Sequence, residues 1–84
     1  MRKKHGDTLK AIYHMPVLSS VKWSDVEALF VSLGAQVVEG KGSRIKVYLN
    51  ERVGMFHRPH PRKEADKGAL VSVRRFLEEA GVKP

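Results

Sequence analysis

The run Arg44-Ile45-Lys46-Val47-Tyr48-Leu49 alternates basic or aromatic residues with aliphatic ones. After Asn50-Glu51 a second run, Arg52 to Arg58, ends against Pro59 and Pro61. Strict alternation belongs to a strand with one buried face, because successive side chains point to opposite sides of a pleated backbone. Asn50-Glu51 is short enough for a two-residue hairpin loop, and prolines donate nothing to a ladder, so pairing must stop at Pro59. A shorter run, Gln36 to Glu39, comes before the first across a Gly40-Lys41-Gly42 turn. Three consecutive strands with short connections predict an antiparallel meander that needs cover on one face.

The cover lies on either side of the strands. Trp23 to Leu33 places Val26, Leu29, Phe30 and Leu33 on one helical face, with Asp25 and Glu27 near its start and Gly34 as a stop. Asp66 is placed to cap a last helix, Lys67 to Ala80, whose apolar face is Leu70, Val73, Phe76, Leu77 and Ala80, with Gly81 behind it. Upstream, His5 to His14 carries Leu9, Ile12 and Tyr13 at helical spacing. Asp7 is its expected N-cap, Pro16 lies beyond its end, and 16–21 reads as a connector. The expected fold is α+β: a three-stranded antiparallel meander with helices packed on one face and an extra N-terminal helix. Residues 1–20 read as an N-terminal extension and 21–84 as an α-β-β-β-α domain. Trp23, at a helix start, is expected to anchor packing.

A chain of 84 residues holds one small core and no separate catalytic domain. It has no cysteine, which excludes disulfides and thiolate metal sites and suits a reducing compartment. No apolar run approaches the ~18 residues of a membrane span, and Arg2-Lys3-Lys4 is not followed by the apolar stretch of a secretory signal, so a cytoplasmic setting is expected. Sixteen Lys and Arg against 9 Asp and Glu leave a net charge of +7. Such a field attracts nucleic acid, an anionic surface or an acidic protein.

Where the charge falls follows from strand parity. A two-residue loop at Asn50-Glu51 pairs Leu49 with Arg52, Val47 with Gly54, Ile45 with Phe56 and Arg44 with His57. If Ile45, Val47 and Leu49 face the helices, then Arg44, Lys46, Tyr48 and His57 share the open face. Lys41, Arg58, His60, Arg62 and Lys63 lie around its lower edge, and Ser43 sits in the turn below it. Cations neutralise phosphates and a tyrosine ring stacks on an unpaired base. A histidine moves protons near neutral pH. Metal-free RNA cleavage needs a base for the 2′-hydroxyl, cations for the crowded phosphorane and an acid for the leaving 5′-oxygen. The set therefore reads as His57 and Arg44 for catalysis, with Lys41, Ser43, Lys46, Tyr48, Arg58, His60, Arg62 and Lys63 as RNA contacts. Alternating Lys and Arg also make the ordinary solvated face of an amphipathic sheet, so that reading stays open. His57 and His60 make a poor zinc pair without further ligands, and Gly40 and Gly42 lack the ending of a phosphate loop. No metal or other cofactor is expected.

Taken together, Leu33-Gly34, Gly42-Ser43, Pro59-His60-Pro61, Lys67-Gly68 and the Leu77, Ala80, Gly81 ending resemble the HicA family of toxin mRNA interferases, over Trp23 to Val82. The resemblance implies a fold like double-stranded-RNA-binding domains, cofactor-free cleavage of mRNA, and neutralisation by a HicB-like antitoxin; the stacking surface of Tyr48 points to single-stranded regions of the RNA. The family places its catalytic histidine just after the glycine-serine pair, where this chain has Arg44, as a divergent branch would. Either His57 has taken over the proton chemistry or the protein binds RNA without cutting it. His60 is retained, and in the family it looks more structural than catalytic. A non-catalytic RNA-binding module and a basic protein-binding adaptor are the alternatives.

Overall fold

The alternating run is the central strand of the computed structural model, which describes residues 2–84; Met1, the first residue of the 1–20 extension, lies outside the described residues. The elements are α1 (Lys3–Tyr13), α2 (Trp23–Ser32), β1 (Gln36–Glu39), β2 (Arg44–Leu49), β3 (Arg52–His57) and α3 (Lys67–Glu79). The strands form one antiparallel sheet in the order β1-β2-β3. Ile45, Val47 and Leu49 are buried while Arg44, Lys46 and Tyr48 are exposed, as the alternation requires. Leu49 pairs with Arg52, Val47 with Gly54, Ile45 with Phe56 and Arg44 with His57.

Asn50 (φ 50°) and Glu51 (φ 65°) are both left-handed, which is the backbone of a primed hairpin turn. Asparagine tolerates that region; glutamate does not favour it. The turn is also tied down from outside, since Asn50 Nδ2 donates to the carbonyl of Ala80 at 2.8 Å, at the end of α3.

On the inner face Phe56 is the hub. Its ring lies 5.7 Å from Phe30, 5.6 Å from Phe76 and 6.0 Å from Trp23. Gly54 makes room for this cluster: a Cβ there would stand 2.7 Å from the Phe56 ring and 2.8 Å from that of Phe76. Around the aromatics, Val26, Leu29, Leu70, Val73 and Leu77 of α2 and α3 complete the core. Both helices stop where glycine allows. Gly34 and Gly81 adopt positive φ, and Ala35 and Val82 donate back to Phe30 and Leu77. Asp66 Oδ1 accepts from the Ala69 N–H at 2.7 Å and caps α3.

α1 packs on α2 and α3 and contributes Leu9 and Ile12 to the same core. Tyr13 Oη donates to the Val82 carbonyl at 2.6 Å. Asp7 does not cap α1; the helix starts a turn earlier, at Lys3, with Arg2 as N-cap and no side-chain cap. The Gly6 N–H donates to Arg2 O and Thr8 Oγ1 to Lys4 O, so the turn around Asp7 satisfies itself. Gly6-Asp7 looks like a helix boundary, but glycine inside a helix costs only about 1 kcal/mol and does not end it. Among the described residues no helix is long and apolar enough to cross a membrane.

One polar network joins α2 to two strands. Arg58, just past β3, donates from Nε to Glu27 Oε2 at 2.7 Å, from Nη2 to Glu27 Oε1 at 3.0 Å and from Nη1 to Glu39 Oε1 at 2.8 Å. The indole N–H of buried Trp23 donates to the same Glu27 carboxylate. Hydrogen bonding from Arg58 holds the Glu27 carboxyl below its ordinary value of 4.5; burial opposes this, and the Trp23 bond adds to it. A depressed carboxyl stabilises the fold fully above its unfolded pKa, and that stability is lost as pH falls through the folded value. Glu27→Gln is therefore expected to lower the melting temperature at about pH 7 and to flatten the loss of stability on acidification. Thermal melts from about pH 7 to pH 3 check this, and parallel curves for the two proteins would contradict it.

Candidate nucleic-acid interface

The helix-free side of the sheet is a grid of three rows. At one end Arg44 faces His57 across β2 and β3, and on its other side the Gly40 N–H donates to the Arg44 carbonyl at 2.8 Å. In the middle Lys46 lies between Val38 and Met55. At the far end Tyr48 lies between Gln36 and Val53. From Arg44 to Tyr48 the face runs about 13 Å along the strand. Strand parity thus brings Arg44, Lys46, Tyr48 and His57 together on one surface.

This face is less purely cationic than the charge pattern implies. Val53 is 56% exposed, Met55 63%, Tyr48 41% and Val38 39%. The strand alternation that exposes His57 also exposes Val53 and Met55, so both were readable from the same register. Val38 follows once β1 is paired with β2. An exposed stripe of this kind, framed by Arg44 and Lys46, can take up base faces while cations hold phosphates.

Two hollows border the grid. Lys41 and Gly40 from the turn, with Val38, Arg44, Lys46 and Met55, line one of about 390 Å³. His57 and Met55 line the other, about 310 Å³, with Asp66, Gly68, Ala69 and Ser72 from the start of α3. His57 therefore sits where the open face meets the first turn of α3. Asp66 and Ser72 come near it only through the packing of α3 along β3, which no local pattern announces. The Asp66 carboxylate is engaged in capping.

The remaining candidates spread out. Ser43 lies directly before β2, and its carbonyl accepts from the Arg58 N–H at 2.8 Å. Arg58 itself turns to the helix side, into the carboxylates of Glu27 and Glu39. His60 is exposed in the loop beyond β3. Arg62 and Lys63 lie beside the start of α2, because Trp23 N–H donates to Lys63 O and Ala65 N–H to Val21 O. There they line a groove of about 450 Å³ with Lys22, Trp23, Ser24, Pro59 and Pro61. Among the described residues no group of three or more His, Cys, Asp or Glu is placed to hold a metal ion.

Residues 23–82, well over half of the chain, match the family described as the HicA toxin of bacterial toxin–antitoxin systems. No curated protein and no solved structure gives a significant match. The match starts at the first residue of α2 and ends just past α3, and leaves α1 outside. Its span has the α-β-β-β-α order and open antiparallel sheet of double-stranded-RNA-binding domains. By sequence match and by fold, the chain belongs to the HicA family, the toxins of bacterial toxin–antitoxin systems.

Proposed function

We propose that this toxin binds mRNA in single-stranded regions on its open sheet face and cleaves it with His57 as the proton-transfer group and Arg44 as the transition-state cation. Family membership supports RNA as the target class and an antitoxin as the partner class. The observation that carries the finer reading is the Arg44–His57 pair at one end of a face that also bears Lys46 and Tyr48. Tyr48, Val53 and Met55 favour unpaired bases, because a duplex offers a protein its backbone and groove edges and keeps base faces stacked. The acidic Glu64 and Asp66 before α3 work against a duplex held at that helix start.

In the reaction, His57 accepts the proton of a ribose 2′-hydroxyl, whose oxygen forms a bond to the adjacent phosphorus. The bond from phosphorus to the 5′-oxygen breaks, leaving a 2′,3′-cyclic phosphate. A proton returned by the imidazolium, or supplied by water, completes the 5′-hydroxyl. Arg44, joined by Lys46, neutralises charge on the non-bridging oxygens as the phosphorane forms. The chemistry requires no cofactor. A second reading, RNA binding without cleavage, is favoured by Arg44 itself, which occupies the position where the family resemblance expects a histidine.

A HicB-like antitoxin is proposed to cover the same face. Val38, Tyr48, Val53 and Met55 among cations offer an acidic partner both an apolar centre and a charged rim. The toxin acts in the cytoplasm in this account.

His57→Ala is expected to cut cleavage of a purified transcript ~100- to 10,000-fold and to relieve growth arrest, with RNA affinity nearly unchanged. Arg44→Ala and Lys46→Ala should weaken binding and reduce the slope of log affinity against log salt by about 0.7 for each phosphate left without its cation. Full toxicity of His57→Ala would exclude His57 as the catalytic group. A wild type that binds RNA but never cuts it would select the second reading.

The antitoxin proposal is checked by competition. RNA and the co-purified antitoxin should displace one another from the wild type. Simultaneous binding of both at full strength would place the antitoxin elsewhere.

A further inference from the structure

Arg58 and His57 are neighbours in sequence and opposites in space. Positions 52, 54 and 56 of β3 point toward the helices, and 58 continues that parity while His57 faces the open side. The Arg58 guanidinium makes all three of its hydrogen bonds to Glu27 and Glu39, and Glu27 is held in turn by Trp23 from the core. Its backbone N–H donates to Ser43 at 2.8 Å, one step beyond the Arg44–His57 pair. Pro59 follows and has no N–H, so that is the last ladder bond the strand donates before the loop.

We propose that Arg58 is a positioning residue: clamped by Glu27 and Glu39, it fixes the strand end that carries His57 against Arg44, and it is not a phosphate contact. This rests on the reading of the sheet face as an RNA-cleaving site. His57 is the last residue of β3 and would otherwise sit on a fraying end before a proline-containing loop. On one side it is bounded by Phe56, buried among aromatic rings, and on the other by Arg58, bound to α2 and β1. Arg44 is bounded likewise by buried Ile45 and by Ser43, whose carbonyl the Arg58 amide holds. Arg58 thus helps to place both reacting groups, through its side chain for His57 and through its amide for Arg44. A lysine cannot substitute, because a single ammonium does not match two carboxylates as the planar fork does. One cation between two carboxylates also presents no net attraction to phosphate.

The test compares wild type with Arg58→Lys, Glu27→Gln and Arg58→Ala. It measures kcat and KM on a defined single-stranded RNA, the salt dependence of binding, and the His57 ring resonances by NMR. Arg58→Lys and Glu27→Gln are expected to lower kcat about 10- to 100-fold, as a displaced catalytic group does, with KM and salt slope unchanged. If Arg58 contacted phosphate, Glu27→Gln would free it and tighten RNA binding with kcat retained, and Arg58→Ala would lower the salt slope by about 0.7. Either result, or wild-type kcat in Arg58→Lys, overturns the proposal. Circular dichroism establishes that each variant folds. If Arg58→Ala does not, Glu39→Gln, which removes the charge of the exposed carboxylate and so weakens one of the three bonds, is expected to lower kcat by a smaller factor, and an unchanged kcat counts against the proposal. If the wild type cleaves no RNA, the functional reading fails and the ring resonances decide this one alone. Shifts of the His57 Cε1–H and Cδ2–H signals in Arg58→Lys and Glu27→Gln support it, and unmoved signals refute it.

Discussion

The register between β2 and β3 determines what each face of this molecule is. With Asn50 and Glu51 closing a two-residue turn, Leu49 meets Arg52, and every later pair follows at a period of two. A slip of one residue would send Phe56 into solvent and His57 into the aromatic cluster. The inner face prevents this, because only Gly54 leaves room for the Phe56 and Phe76 rings. The Asn50 bond to Ala80 holds the turn against α3 from outside. Core packing and the composition of the open face are therefore two sides of one constraint.

Much of this was legible in the chain because it is periodic. The alternation in β2 sufficed for the sheet, and apolar spacing with Gly34 and Gly81 sufficed for α2 and α3. What was missed is not periodic. Asp7 resembled a cap, but the turn before it is closed by Arg2, Lys4 and Thr8 within the helix. Arg58 reads from the sequence as an RNA contact at the edge of the open face; where its guanidinium points depends on Glu27, which is 31 residues away and reaches it only after α2 packs on the sheet. Arg62 and Lys63 moved to the start of α2 through the antiparallel contact between 21–23 and 63–65, which neither segment signals alone.

The charges divide into those that are spent on structure and those left free. Arg58 is held between two carboxylates, and Lys4 lies 3.4 Å from Asp25 at the α1–α2 junction. Arg44 and Lys46 stand on the open face beside Tyr48, Val53 and Met55. Exposed apolar side chains are unfavourable in water, so such a stripe suits a surface that is covered during function. In the proposed function, RNA bases and an antitoxin compete for it.

The central claim is that the open sheet face, and not the helical side, receives RNA. It is tested most directly by following backbone and methyl resonances during titration with a 2′-O-methyl oligoribonucleotide, which binds but cannot be cleaved through its 2′-position. The account predicts shifts concentrated at Lys41, Arg44, Lys46, Tyr48, Val53, Met55 and His57, with α1 and the outer sides of α2 and α3 silent. Shifts confined to those helices, or none at concentrations that inhibit the toxin, would contradict it.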